Sequence, residues 1–327
     1  MSVSSLGSWA DIAHIFVSEK TNYFLDSIKP KLGIPRIVDE HTDKCSSLMN
    51  IGKYAKAVRC YDKVIKLDPR NVNAWINKGN SLLNLRNYHE ATKCYTKVIE
   101  LDPKNATAWN NKGKCFQDYG RLIEAIWYYD YTLELDPEYT EAWCNKGNVL
   151  KHQGKYNEAD KCYDKVIELN PKNIDAWSSK LNLYERVIML NPANVSAWNN
   201  KGNALRVLRR YIEAVKAYES AIELDSKYAA VWYNKGIALY ELNKCVEAIE
   251  CYDKATNLDP FFSKAWYAKG IALSSQNRYD EAIKALDTAI EINPRYAKAW
   301  KAKGTALSAL GYAYEADIAL AMVSSLE

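Results

Sequence analysis

Residues 108–113 read Ala-Trp-Asn-Asn-Lys-Gly, and residues 197–205 read Ala-Trp-Asn-Asn-Lys-Gly-Asn-Ala-Leu. The Trp of each stretch belongs to a series in which every step is 34 residues, except one of 21. The series is Trp75, Trp109, Trp143, Trp177, Trp198, Trp232, Trp266 and Trp300, and only Trp9 and Trp127 lie outside it. A fixed period of this length predicts a solenoid of stacked copies of one structural unit.

Other residues repeat together with the Trp. In seven units Gly follows it by four residues, Ala by sixteen, and Tyr or Leu by twenty. In the unit around Trp75, apolar spacing predicts one helix over residues 73–85 and a second over 88–101. Pro near the end of most units disfavours helix at the residue before it. Four side chains that precede a first helix are predicted N-caps: Asn71, Asn105, Asn173 and Asn194. The pattern predicts an all-α chain of helical hairpins.

This pattern resembles the tetratricopeptide repeat family over residues 38 to 327. The resemblance implies an α-solenoid, a superhelix of helix-turn-helix hairpins. It also implies that the first helices line a concave groove that binds peptides, while the second helices form the convex back. One hairpin cannot bury its apolar face alone, so stability must come from stacking on neighbours.

The period divides the chain into an N-terminal helical extension that caps the first unit, a first array, a truncated repeat and a second array: residues 1–37, 38–173, 174–194 and 195–327. The truncated repeat lacks the residues of the turn, so a single helix from about residue 175 to 190 is predicted. The missing helix divides the solenoid into two arrays with separate grooves, or a local kink absorbs it. For residues 1–37 a targeting or partner-specific role is the alternative to capping.

Composition limits the function classes. The 44 basic and 40 acidic side chains give a net charge of +4, which disfavours an RNA-binding solenoid. The eight Cys include no C-x-x-C pair, so neither a disulfide framework nor a zinc site is predicted. Cys60, Cys94, Cys162 and Cys251 recur in the second helix and are predicted packing residues, because successive copies lie too far apart for a disulfide. A cytoplasmic location fits these cysteines and the absence of an export signal or apolar membrane span.

No catalytic constellation is predicted. Eleven of the 13 Gly belong to repeat positions, so no phosphate-binding loop remains, and the four His share no repeat position. We therefore predict a protein that is not an enzyme and needs no cofactor or metal.

Asn recurs two residues after the Trp, at Asn77, Asn111, Asn145, Asn200 and Asn234. An amide both donates and accepts, so it can pair with the main chain of an extended peptide. The series is similar to the asparagine ladder of O-GlcNAc transferase, which implies such a role; helix packing is the alternative. The Lys that follows each Asn is predicted to pack its stem along the hairpin and to reach water or a carboxylate.

Tetratricopeptide adaptors that clamp a C-terminal carboxylate use Lys, Asn and Arg over three units. Asn203, Asn234 and Lys264 match that set, but Asn199 and Ala268 replace a Lys and an Arg, so chaperone binding is not predicted. The positions expected to face the groove become apolar nearby, with a basic rim: Tyr233, Ile237, Tyr240, Tyr267 and Ile271, with Lys264, Lys298 and Lys301. They predict a partner peptide with apolar and some acidic side chains; burial against the chain's own helices is the alternative.

The predicted function is a non-enzymatic protein–protein interaction scaffold that binds a partner peptide segment in the concave groove. The alternative is a structural scaffold, a homo-oligomer that assembles through the C-terminal repeat. Its last helix carries Ile318, Met322 and Val323, which no further repeat covers.

Overall fold

The computed structural model describes residues 34–326, and their side chains from Val38 onwards. This part of the chain contains seventeen helices and no strand. In chain order they are α1 (Ile34–Asn50), α2 (Tyr54–Leu67), α3 (Val72–Asn84), α4 (Tyr88–Leu101), α5 (Ala106–Asp118), α6 (Leu122–Leu135), α7 (Thr140–His152), α8 (Tyr156–Leu169), α9 (Ile174–Leu190), α10 (Val195–Val207), α11 (Tyr211–Leu224), α12 (Ala229–Glu241), α13 (Cys245–Leu258), α14 (Ser263–Ser275), α15 (Tyr279–Ile292), α16 (Ala297–Ala309) and α17 (Ala313–Leu326).

Helices α1–α8 and α10–α17 pair in sequence into hairpins, and α9 stands alone. The first helices of neighbouring hairpins touch each other, as α3 touches α5 and α12 touches α14. No pair of second helices of neighbouring hairpins makes comparable contact among residues 34–326. First helices therefore line the inner side of each stack, and second helices lie outside.

Local chemistry explains where the helices begin and end. The four predicted Asn N-caps are confirmed: each side chain accepts a hydrogen bond from the backbone N–H three residues later, as Asn71 does from Ala74 at 2.9 Å. Four inter-helix turns use Gly with positive φ, including Gly120 at 85°. Four other turns place a larger residue in the same left-handed region, among them Arg86 and Arg209.

Small residues let the two helices of a hairpin touch. A Cβ added to Gly79 would lie 2.6 Å from Cε1 of Tyr95, whose ring is fully buried. The Tyr95 hydroxyl donates to Asn80 Oδ1 at 2.7 Å, so the buried polar group is paired. The Trp ties each hairpin to the loop before it, as when Trp75 Nε1 donates to the Pro69 carbonyl at 3.0 Å.

Contacts divide the chain into two compact units, one up to Lys165 and one from Val166. Helix α9 belongs to the second unit and packs against α10. Leu181 of α9 lies in the core cluster that contains Leu205 and Tyr218, and Trp177 of α9 packs against that cluster. The contact boundary falls inside α8, so the four-part division predicted from the period remains a proposal.

The first hairpin differs from the expectation in two ways. Helix α1 begins at Ile34, four residues before the predicted boundary, because Pro is tolerated in the first turn of a helix; the rest of the predicted cap lies outside the described residues. Cys45 and Cys60 form a disulfide with Cα atoms 5.4 Å apart, so the prediction of no disulfide was wrong. Cys45 occupies the repeat's Gly register, which brings it against the second helix of its own hairpin.

Candidate functional site

The predicted Asn ladder runs along the inner side of the first helices, where its amides join neighbouring helices. Asn145 Nδ2 donates to Asn110 Oδ1 at 3.2 Å, and Asn234 Nδ2 donates to Asn199 Oδ1 at 3.0 Å. Each of these amides uses one of its two N–H donors in that bond. These bonds support the helix-packing role, and they leave a donor on each side chain for a ligand.

The other predicted Asn residues differ in how far their own chain occupies them. Asn111 is only 9% exposed, donates to Asn80 and accepts from Asn110, so its amide is held on both sides. Asn77 lies near the Tyr61 hydroxyl and opposes the rise that burial causes in the pKa of that tyrosine. Asn203 Oδ1 accepts from Tyr218 at 2.9 Å.

Asn200 is half-buried and makes no side-chain hydrogen bond within residues 38–326. Asn145, Asn200 and Asn234 are half-buried and keep N–H donors for a ligand, whereas the amide of Asn111 is buried.

The predicted apolar residues lie on the inner side of α12 and α14 and are half-buried. Tyr233 packs against Phe262, with ring centroids 4.9 Å apart, and Tyr267 packs against Tyr296 at 5.0 Å. Burial raises the pKa of Tyr296 to about 12, with smaller effects from Tyr233 and Tyr267. Tyr233, Tyr267 and Tyr296 therefore lie close together.

Part of each ring is covered by the chain's own helices, as the alternative stated above expects. Ile237 and Tyr240 also pack against the core beneath α12, while Ile271 is half-buried on α14.

Arg206 lies at the edge of this tyrosine surface and was missed by the sequence analysis. Its Nε is buried and has no hydrogen-bond partner among the described residues. Burial raises the pKa of the neighbouring Tyr218 to about 12, and the Arg206 guanidinium opposes that rise. Arg206 follows Trp198 by eight residues, a register whose residue type changes from unit to unit, so the repeat gave no signal for it. A guanidinium beside tyrosines suits a carboxylate or a main-chain carbonyl of a ligand.

Lys264, Lys298 and Lys301 form the exposed basic rim of the same inner surface, and none of them has an ion-pair partner among residues 38–326. Most lysines of the repeat series pair instead with a carboxylate of this chain. Lys235, for example, lies 2.9 Å from Glu219 and 6.0 Å from the ring centroid of Trp232. The predicted structural role of the repeat lysines is thereby confirmed wherever such a pair forms.

Within residues 34–326, no group of three or more His, Cys, Asp or Glu side chains could hold a metal ion. No helix in the same range is long and apolar enough to cross a membrane.

Family models match most of the hairpins. A model described as tetratricopeptide repeat matches residues 72–105, 140–173, 195–228, 229–262 and 263–296. The chain belongs to the tetratricopeptide repeat family. Two further models of the family, described as TPR repeat and tetratricopeptide repeat, match residues 47–86 and 94–126. Membership and the all-helical structure together establish a tetratricopeptide α-solenoid.

Solved structures of the family are similar at low identity. MamA is 20% identical with a TM-score of 0.44, over 55% of this chain and 93% of its own. YrrB, described as a TPR protein with an unusual peptide-binding site, is 24% identical with a TM-score of 0.34, over 65% and 98%. The yeast Sti1 TPR2AB domain in complex with pHSP90 is 22% identical with a TM-score of 0.35, over 75% and 98%. No curated protein sequence matches the chain.

Proposed function

We propose that this chain is a non-enzymatic scaffold that binds an extended segment of a partner protein along the inner surface of α12 and α14. The observation that carries the proposal is Arg206, a half-buried cation with no ion-pair partner among residues 38–326, at the edge of a half-exposed tyrosine surface. An extended peptide supplies main-chain carbonyls or a carboxylate for the guanidinium and side chains for the spaces between the tyrosines.

The chemistry of the surface defines the segment. Tyr233, Tyr240 and Tyr267 offer rigid, amphipathic contact area of the type enriched at binding hot spots. The exposed Lys rim favours acidic side chains at the ends of the segment, and it acts chiefly on the association rate and its salt dependence. Asn200 and Asn234 supply amides for the peptide main chain.

The experiment compares three forms of the immobilised full chain in an extract of cells that make it. The test variant carries Lys264→Glu, Lys298→Glu and Lys301→Glu, which reverse the inner rim without touching the core. The control carries Lys216→Glu, Lys254→Glu and Lys284→Glu, which are equally exposed but lie on the second helices α11, α13 and α15.

At about 0.5–1 kcal/mol for each exposed pair lost, the inner variant should bind a retained partner at least tenfold more weakly. The control variant should bind it normally. A partner that both variants retain equally, or that only the control loses, would contradict binding at the inner surface.

A second candidate, self-association, is favoured by the outer side of α17. Tyr314 is 76% exposed there, with Ile318 and Met322 also exposed. The test is molecular mass by light scattering over a range of concentrations, for the native chain and for Ile318→Lys. A mass that rises with concentration in the native chain alone supports this candidate, and a concentration-independent monomer removes it.

A further inference from the structure

The Lys that stands three residues after the Trp has the same kind of surroundings in most units. In six units, the ammonium three residues after the Trp lies over an aromatic ring and pairs with a carboxylate of the preceding second helix or of α9. Nζ-to-oxygen distances are 2.6 to 3.2 Å in six units. The pairs are Lys78–Asp62, Lys146–Asp130, Lys201–Glu185, Lys235–Glu219, Lys269–Asp253 and Lys303–Asp287.

Lys112 belongs to the same series but has no carboxylate. Thr96 stands where the other units place Asp or Glu, and its hydroxyl donates to the Thr92 carbonyl at 2.9 Å. Lys112 Nζ lies 5.1 Å from the ring centroid of Tyr128 and makes no ion pair within residues 38–326. Burial lowers its pKa. A half-buried ammonium therefore lacks the anion that its counterparts receive from their own chain.

The second helix beside Lys112 is also exceptional. In α6, Trp127 and Tyr131 stand at registers that carry Lys in α4, α8 and other second helices. Tyr128 replaces the Cys or Ala found at its register elsewhere. Trp127 is 57% exposed and Ile123 78% exposed, so the outer face of α6 is apolar where neighbouring second helices are basic.

These aromatic residues form one contiguous cluster with the first helix of their hairpin. Trp109 lies 4.4 Å from Tyr131, Trp127 lies 4.9 Å from Tyr128, and Phe116 stacks on Tyr128 at 4.9 Å, all measured between ring centroids. Lys112 is at the centre of this cluster through its contact with Tyr128.

A groove of about 350 Å³ continues the cluster toward the preceding hairpin. Phe116 belongs to both the cluster and the groove, and Tyr88, Tyr119 and Arg121 are among the groove's other lining residues. The Arg121 guanidinium lies 5.0 Å from the Phe116 ring and pairs with Glu124. The surface thus offers an aromatic shelf, a recess for one side chain and a cation without a partner.

We propose that this surface of α5 and α6 binds an acidic, amphipathic segment of a partner protein, whose carboxylate pairs with Lys112 while its apolar side chains lie on Trp127 and Tyr131. The partner supplies at this hairpin the carboxylate that six other units receive from their own chain. This site is separate from the inner surface proposed above, because it uses residues of a different hairpin, α5 and α6.

The test uses substitutions to residue types that other units of this chain carry at the same positions. Thr96→Asp restores the internal carboxylate, and Trp127→Lys restores the residue type that this register carries in α4, α8, α11 and α15. Asp62→Thr is the matched control, because it removes the carboxylate from Lys78 one hairpin earlier. Circular dichroism confirms that each variant keeps its helical content.

The probe is a phage-displayed library of random short peptides. It is selected on the full native chain and depleted on the double variant Thr96→Asp, Trp127→Lys. Surviving peptides should place Asp or Glu beside Phe, Leu or Trp. A synthetic copy should bind about tenfold more weakly when its acid is replaced by the amide, and equally so to Thr96→Asp, the effect of one charge-assisted hydrogen bond.

Binding of the same peptide to Asp62→Thr and to the inner-rim triple variant should not change. The proposal is overturned if no peptide distinguishes the native chain from the double variant, or if the survivors lack acidic residues. It is also overturned if light scattering shows a native dimer that Trp127→Lys dissociates, because a second copy would then occupy this face.

Discussion

Replacing Gly79 with Ala tests the packing of the hairpins on which every surface described above depends. The added Cβ would lie 2.6 Å from Cε1 and 2.8 Å from Cζ of Tyr95. That ring cannot withdraw, because it is fully buried and its hydroxyl is bonded to Asn80. Overpacking of this kind costs about 1–3 kcal/mol, and the higher helix propensity of Ala offsets about 1 kcal/mol. We expect a net loss of up to about 2 kcal/mol.

Gly304→Ala is the matched control in the last hairpin. Its Cβ would lie 2.8 Å from Cγ of Leu320, but Leu320 is 40% exposed on α17 and can rotate outward. The overpacking cost should then be small, and the free energy of unfolding should fall by less than about 0.5 kcal/mol or rise.

The assay is hydrogen exchange under native conditions, which reports the opening free energy of individual hairpins in a repeat array. Amides of α3 and α4 should exchange faster in Gly79→Ala, while those of α16 and α17 should be unaffected or slower in Gly304→Ala. Equal effects at the two sites, or a gain in stability for Gly79→Ala, would refute the reasoning from the buried ring.

Three other perturbations have expected signs. Arg209→Gly should stabilise the chain by about 1 kcal/mol in urea unfolding, because Arg209 has φ of 60° and Gly accepts that conformation without strain; an unchanged midpoint would contradict this. Reducing the Cys45–Cys60 disulfide, which links residues 15 apart, should lower the stability of the first hairpin by about 3 kcal/mol in a thermal scan, and Cys60→Ala should make the chain insensitive to reductant. Burial raises the pKa of the Cys251 thiol from its ordinary value near 9 to about 11. The contribution of this thiol to the free energy of unfolding is complete below about pH 9, and it falls by about 1.4 kcal/mol per pH unit as the pH rises toward 11. Cys251→Ala should reduce this loss.

The period of the Trp residues was sufficient to predict the hairpins, because each repeated residue has one local physical role. Asn at the start of a first helix caps it, and Gly79 admits the ring of Tyr95, so the sequence pattern and the structure coincide there. The repeat lysines were likewise predictable, since their long stems and charged ends have few ways to be satisfied on a helical hairpin.

Residues that depart from the repeat were harder to interpret. Cys45 stands at the register where later units carry Gly, so no repeat of cysteines pointed to its pairing with Cys60. Arg206 stands at a variable register, so its place beside the tyrosines depends on packing between hairpins. Trp127 lies outside the Trp series, but the sequence does not show that its side chain is exposed. The missing carboxylate at Thr96 is visible only when the same position is compared in every unit.

The proposed function places a partner segment along the inner surface of α12 and α14. The most direct measurement is hydrogen exchange of the full chain with and without the first partner recovered in the variant comparison. We expect binding to slow exchange in α12 and α14, around Tyr233 and Tyr267. Slowing confined to the second helices α11, α13 and α15, or to α17, would contradict it.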